Sequence, residues 1–408
     1  MNPATTATGI ETPRRINDLD VLRGFALLGI LVVNIGAFAS GYYGAGLADP
    51  AFDVPLDRFM LGLVRTLFET KFYLLFSFLF GYSFTLQMAS AQRAQQAFVP
   101  RYLRRSAGLL LLGIGHAVLF FHGDILVTYA LLGLVLLGMR GLAPRPAIQL
   151  AVSLVAATAL GWALVGMLLM GEDGRLPVQE IHDDVARATA AYRGSIGTTI
   201  TQHIRELHGS VWLVLALVQA PCAFAMFLLG LAAAKSEYFN KLADKRRQLW
   251  KMLLIGAPIG LAGALCYSHL NATPSQIGQS LLGLAIGIFT APALSSAYVA
   301  ALLLVLQRPQ GAPLAAWLAP AGRMALTNYL MQSLVCAVLF TAWGWGLIGR
   351  LAPLTVSMIA VAIYLVQLCW SRWWLRSHIY GPVEWLLRAV THWHWPQWKK
   401  EPPMAYPS

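Results

Sequence analysis

An all-α, polytopic integral membrane helix bundle of about ten transmembrane helices, with both termini cytoplasmic, is the fold class that the sequence predicts. Three observations lead there. The 408 residues are 57% hydrophobic and only 12% charged, too little charge to cover a soluble surface of this size. Apolar runs repeatedly approach or exceed the length that spans a bilayer. Lysine and arginine are unevenly shared between alternate loops.

Candidate spans fall at 21–40, 72–89, 107–122, 124–139 and 147–170 in an N-terminal membrane half, 1–170. Five more, at 211–234, 249–270, 278–306, 323–343 and 354–374, make a C-terminal half, 210–376. The third and fourth are joined only by His122, Gly123 and Asp124, a tight hairpin, so they cross as a pair. Residues 56–68 are amphipathic and are expected as a helix lying in the outer interface. The 171–209 loop has a glycine-interrupted helical pattern and is expected to cap the outer face. Residues 240–251 form a basic connector, and 377–408 an interfacial cytoplasmic helix and tail begun by Pro382.

One set of loops holds 22 Lys and Arg, and the alternate set holds 6. By the positive-inside rule both termini face the cytoplasm. Arg14 and Arg15 ahead of an apolar run have the look of a secretory signal. The run is longer than a signal core and further spans follow, so the first helix is expected to be retained. The net charge of +12 is spread over short loops, which argues against nucleic acid as a partner. Cys222, Cys266, Cys336 and Cys369 lie in apolar runs without paired spacing, so neither disulfides nor a metal site is expected. His203 and His208 do not share a helical face. There is no Walker loop, no G-x-S-x-G and no H-E-x-x-H.

Polar residues inside the spans carry the functional argument. Arg23 and Asn34 are separated by eleven positions, which at ~100° each returns to within ~20° of one face and about 16 Å along the axis. Asp20 lies near that face. His116 sits at or beyond the middle of the third span, and an ionisable residue at that depth is a functional candidate. Glu69 and Lys71, before the second span, are expected at the same outer level as His122 and Asp124. Asn34, Glu69, Lys71, His116, His122 and Asp124 would then line one outward cavity. In the ninth span Arg323 stands at the cytoplasmic end, with Asn328 and Gln332 one turn apart on a single face. Helix-to-helix hydrogen bonding is the alternative for Asn34, a local ion pair for Glu69 and Lys71, and a backbone-satisfied imidazole for His116.

The segments "LDVLRGFALLGILVVNI", "KFYLLFSFLFGYSF", "LLGIGHAVLFFHGDIL", "YRGS", "GRMALTNYLMQS" and "GPVEWLLR" resemble the YeiB-like bacterial inner-membrane proteins, a family long classed as of unknown function. The resemblance covers nearly the whole chain. It implies membership of a transmembrane acyltransferase superfamily that includes heparan-alpha-glucosaminide N-acetyltransferase and bacterial envelope sugar O-acyltransferases. In the latter an arginine, ten residues and a catalytic histidine mark the first span; here Asn34 stands at that histidine's position. The lysosomal enzyme has an asparagine there and a histidine soon after, whereas this chain has none between Asn34 and Lys71. His116 is the nearest substitute.

The expected activity is transfer of an acyl group, acetyl first, from cytoplasmic acyl-CoA (acetyl-CoA) to a hydroxyl or amine of a glycan, lipid or small molecule. His116 would be the base, Asn34 an oxyanion or substrate donor, and Asp124 or Glu69 the orienting carboxylate. Arg23 and Arg323, with Asn328 and Gln332 beside them, would meet the acyl-CoA, and Lys71 and His122 the acceptor. The expected location is the bacterial inner membrane with lipid as surroundings, and a homo-oligomer is left open. A transporter or exporter using the same residues as a midplane site is the competing expectation, and a structural assembly subunit a third.

Overall fold

We describe the chain from a computed structural model covering residues 14–170, 174, 176–238, 245–272 and 276–401. The described residues are helical with no strand; residues 1–13, most of 171–175, 239–244 with the first part of the 240–251 connector, 273–275 and the end of the 377–408 tail (402–408) lie outside them. Helix α1 (Arg14–Ala39) carries the first expected span. Helix α2 (Pro55–Leu67), started by a proline, is the amphipathic element expected over 56–68. It is followed by α3 (Lys71–Arg93), α4 (Phe98–Leu119), α5 (Leu126–Gly138) and α6 (Pro144–Leu168). The loop expected to cap one face folds as α7 (Val178–Gly194) and α8 (Ile196–His208), divided at Ser195, whose side chain caps α8.

A short α9 (Ser210–Val214) runs through one π-helical turn (Leu215–Gln219) into α10 (Ala220–Lys235). Then come α11 (Arg246–Leu270), α12 (Ile277–Leu306), α13 (Gly311–Arg323), α14 (Ala325–Phe340), α15 (Pro353–Ser377) and α16 (Pro382–His392).

Among the described residues seven helical stretches are long and apolar enough to cross a bilayer, and α13 with α14, bent by 77°, makes an eighth if the pair is one broken span. The protein is therefore a multi-pass membrane bundle. The third and fourth expected spans are α4 and α5. Helix α4 begins at Phe98 and carries Arg101, Arg104 and Arg105 in its first turns, while α5 has only 13 residues. The ninth span, expected over 323–343, is α14, and a sharp break at its start separates it from α13. Met324 leaves helical geometry (φ −107°, ψ 30°), and α13 folds back against α1.

Helix α1 is central: Leu19, Leu22, Leu27, Leu31 and Ile35 are fully buried, packed by α3, α13, α14 and α15. Its crossing with α13 depends on small residues. A Cβ at Gly24 would overlap the Leu318 carbonyl, and one at Gly322 the Asp20 carbonyl. Around the edge, Leu160, Leu254 and Phe289 expose their side chains as a lipid-facing surface does. At one end α7 and α8 cover the bundle. Ala342 N–H donates to the Tyr192 carbonyl at 2.7 Å, Gly349 N–H to the Ala39 carbonyl at 2.7 Å, and the Arg193 guanidinium to the Ile348 carbonyl.

Candidate functional site

His116 projects from the last turn of α4, and Asp124 sits in the hairpin leading into α5. His116 Nδ1 and Asp124 Oδ1 are 2.8 Å apart, and the two residues are 3% and 2% exposed. Asp124 Oδ2 accepts from the Val127 N–H at 2.8 Å, a free donor of the first turn of α5 that suits a carboxylate. Gly113 permits this close hairpin: a Cβ there would lie 2.7 Å from Val127 N and 3.0 Å from Asp124 Oδ2. With the carboxylate accepting from Nδ1–H, the neutral tautomer of the ring keeps its lone pair on Nε2. That Nε2 is buried and has no hydrogen-bond partner. The ring lies between Tyr329 (centroids 5.1 Å apart) and Phe121 (6.3 Å).

A cavity of ≈ 80 Å³ is lined by Tyr329 together with Asn34, Thr70, Tyr73, Gln219 and the two residues that flank Asp124, Gly123 and Ile125. It has room for several waters. Thr70 Oγ1 and Gln219 Oε1 are buried without partners. The backbone carrying them is unusual: Thr70 is left-handed (φ 69°, ψ −22°), costly for a β-branched residue. Gln219 ends the π-helical turn, a feature that recurs at functional sites.

His122 belongs to a separate cluster under α7 and α8. Its Nδ1 is 2.9 Å from Glu206 Oε2 and 3.3 Å from the Tyr192 hydroxyl. The His203 ring stands 5.7 Å from the His122 ring, and His203 Nδ1 is 3.0 Å from the Val118 carbonyl. Burial, and then His122, push His203 down to about 4. Glu206 is held below the ordinary carboxylate value, because hydrogen bonds from His122, Gln202 and Tyr192 outweigh its burial.

The single outward cavity expected for six residues is thus divided. Asn34 lines the cavity, His116 and Asp124 pair beside Tyr329, and His122 joins Glu206. Glu69 does not orient His116; it accepts from the Tyr267 hydroxyl at 2.9 Å. Lys71 is 2% exposed and donates to the Arg65 carbonyl at 3.0 Å. On the opposite end Arg23 pairs with Asp20 and donates to Ser83 Oγ at 2.6 Å, while the exposed Arg323 donates to the Ile379 carbonyl at 3.1 Å.

Asn328 and Gln332, expected beside the acyl-CoA, are instead buried bonds between helices. Asn328 Nδ2 donates to Ser371 Oγ (2.9 Å) and the Ala321 carbonyl (3.1 Å). Gln332 Nε2 donates to Gln367 Oε1 (2.8 Å). Their shared face looks at α15, whose Ser371 and Gln367 take up the amide N–H groups, so they present no free donor to a ligand, although Gln332 Oε1 is buried without a partner.

Sequence reasoning missed Gln219, Thr70, Tyr329 and Glu206. Gln219 carried a signal, a lone amide in an apolar run, as strong as that of Asn34. Nothing in the sequence marks the left-handed Thr70.

This arrangement defines a class: a multi-pass helical membrane protein with a buried His–Asp pair beside a polar cavity. A family model described as "Protein of unknown function (DUF418)" matches residues 233–394. The uncharacterized protein YxaH of Bacillus subtilis is 34% identical over 398 residues, covering 94% of this chain and 96% of that one. The uncharacterized protein YeiB of Escherichia coli is 29% identical over 404 residues, 91% of this chain and 95% of its own. The chain belongs to this YeiB-like family. No solved structure matches it.

Proposed function

We propose that the protein is an acyltransferase of the bacterial cytoplasmic membrane, moving an acyl group, acetyl first, from acyl-CoA to a hydroxyl or amine of an envelope glycan, lipid or small molecule. The observation that carries this is the His116–Asp124 pair at 2.8 Å with a free, buried Nε2. A histidine oriented by a carboxylate with its second nitrogen vacant is the geometry of a general base. The acceptor hydroxyl would give its proton to Nε2 as its oxygen attacks the thioester carbonyl. The departing thiolate would then recover that proton.

In this scheme the acceptor head occupies the cavity, where Asn34 Nδ2 donates to the developing oxyanion and Gln219 Oε1 and Thr70 Oγ1 hold the acceptor. Tyr329 stands between imidazole and cavity, so its hydroxyl or a rotation of its side chain must connect them. Both termini are cytoplasmic, supported by the 22 to 6 basic asymmetry. Arg23 and Arg323 would then lie at the acyl-CoA end, with His122 and Lys71 at the acceptor end.

A second scheme, export of a small polar compound, is favoured by the break at Met324, since discontinuous helices frame transporter sites. The test is free-thiol release from acetyl-CoA by purified protein, with and without an envelope extract. Release that needs the extract and disappears in His116→Ala supports acyl transfer. Absence of release, with uptake of labelled compound into vesicles, establishes export instead.

A further inference from the structure

The end of the bundle opposite α7 and α8 carries more guanidinium than carboxylate. On α4, Arg101, Arg104, Arg105 and Gly108 recur at the i, i+3, i+4, i+7 spacing of a single helix face. Gly108 fixes where that face looks. A Cβ there would lie 3.0 Å from Leu387 Cδ1 and 3.3 Å from Val390 Cγ1, so the face meets α16. From α16 comes a fourth arginine, Arg388, exposed at the rim and 4.3 Å from the Tyr380 ring centroid. Arg104 lies 6.0 Å from the Trp393 ring centroid. Arg105 is within electrostatic reach of Arg23, Arg388 and Glu384.

The carboxylates nearby are already committed. Asp20 pairs with Arg23. Glu384 accepts from Leu326 N–H (2.7 Å), Thr327 N–H (3.0 Å) and the Thr327 hydroxyl (2.5 Å). Among the described residues, none of Arg101, Arg104, Arg105 and Arg388 pairs with a carboxylate. The Nε atoms of Arg104 and Arg105 are buried without hydrogen-bond partners. Burial, and then Arg101 and Arg388, hold the neighbouring His392 below the ordinary histidine range, as an uncompensated positive field does. A positive-inside anchor needs charge at the surface only; it does not need two buried, unpartnered guanidinium nitrogens on α4 facing a further arginine on α16.

We infer that the α4–α16 face is a binding site for a phosphate-bearing anion, with Arg105 at its floor and Arg104 and Arg388 at its rim. Arginine forks match phosphate oxygens two at a time and remain charged at all working pH values. A soluble phosphate ester and an anionic lipid headgroup present the same chemistry. Phosphate binding requires no turnover, so this site stands or falls separately from acyl transfer.

The test uses the full chain in phosphatidylcholine nanodiscs, titrated with pyrophosphate by calorimetry at low and high KCl. In a second arm, native mass spectrometry follows phosphatidylglycerol retained from mixed-lipid membranes. Pyrophosphate binding that weakens with salt, falls at least ~10-fold in Arg105→Gln and Arg388→Gln and is unchanged in Arg308→Gln assigns a soluble ligand. Phosphatidylglycerol retained by wild type and lost in the same two variants, without pyrophosphate binding, assigns a lipid headgroup. If Arg105→Gln fails to fold, Arg388→Gln at the exposed rim decides alone. Wild-type protein that holds neither probe, or variants that hold both as wild type does, overturns the site.

Discussion

The carboxylate of Glu384 caps the helix that begins beside Thr327: from α16 it accepts the free Leu326 and Thr327 N–H groups of α14 and the Thr327 hydroxyl. Thr327 Oγ1 accepts in turn from Val383 N–H at 3.0 Å. A helix broken at Met324 needs such a partner, since its first N–H groups have no intrahelical acceptor. Glu384→Ala should therefore lower stability by about 2 kcal/mol, and Glu384→Gln by less. Thermal unfolding in detergent measures both; unchanged melting in Glu384→Ala would remove the capping role.

His116→Ala and Asp124→Asn should each reduce acyl transfer, the first by ~10²–10⁴, with normal membrane insertion. If the two act as a unit, the double variant loses less than the product of the single losses. Initial rates of thiol release give the answer. Near wild-type turnover in His116→Ala would end its assignment as base.

Thr70→Gly should raise stability by about 1 kcal/mol, because glycine takes a positive φ without strain. It should also lower turnover if Thr70 Oγ1 holds the acceptor. A gain in melting temperature with no change in KM would reduce Thr70 to a turn residue.

The His203 cluster predicts an acid-sensitive cap. His203 has a folded value of about 4 against ~6.5 when unfolded, so between them the unfolded state binds more protons. Its stabilisation is complete above the unfolded value and is lost as pH falls from 6.5 towards 4, by at most ~1.4 kcal/mol per unit. Unfolding measured at pH 7.5, 5.5 and 4.5 should show this slope in wild type and a shallower one in His203→Phe. Equal slopes would assign the acid sensitivity elsewhere.

Orientation is tested by labelling in a background without the four native cysteines. Glu180→Cys on α7 should react with an impermeant maleimide from outside intact cells, and Gln248→Cys on α11 only after lysis. The opposite pattern would invert the bundle and move His122 and Glu206 to the cytoplasmic end.

Fold class, helix positions and the amphipathic helix at 56–68 were legible in the chain because hydropathy is a local property: a run of apolar residues is helical in lipid wherever it packs. The same periodicity put Asn328 with Gln332 on one face. Partner choice is not local. It depends on how each helix is rotated and which neighbour crosses it, so Asn328 and Gln332 turned out to serve Gln367 and Ser371. Glu69 serves Tyr267, and Glu206, distant in sequence, reaches His122. His116 with Asp124 lay between these cases. They stand eight positions apart across a hairpin, close enough for the pairing to be read from sequence, but the vacancy at Nε2 and the cavity lined by Tyr329 exist only once α1, α3, α14 and the π-helical turn at Gln219 have closed around them.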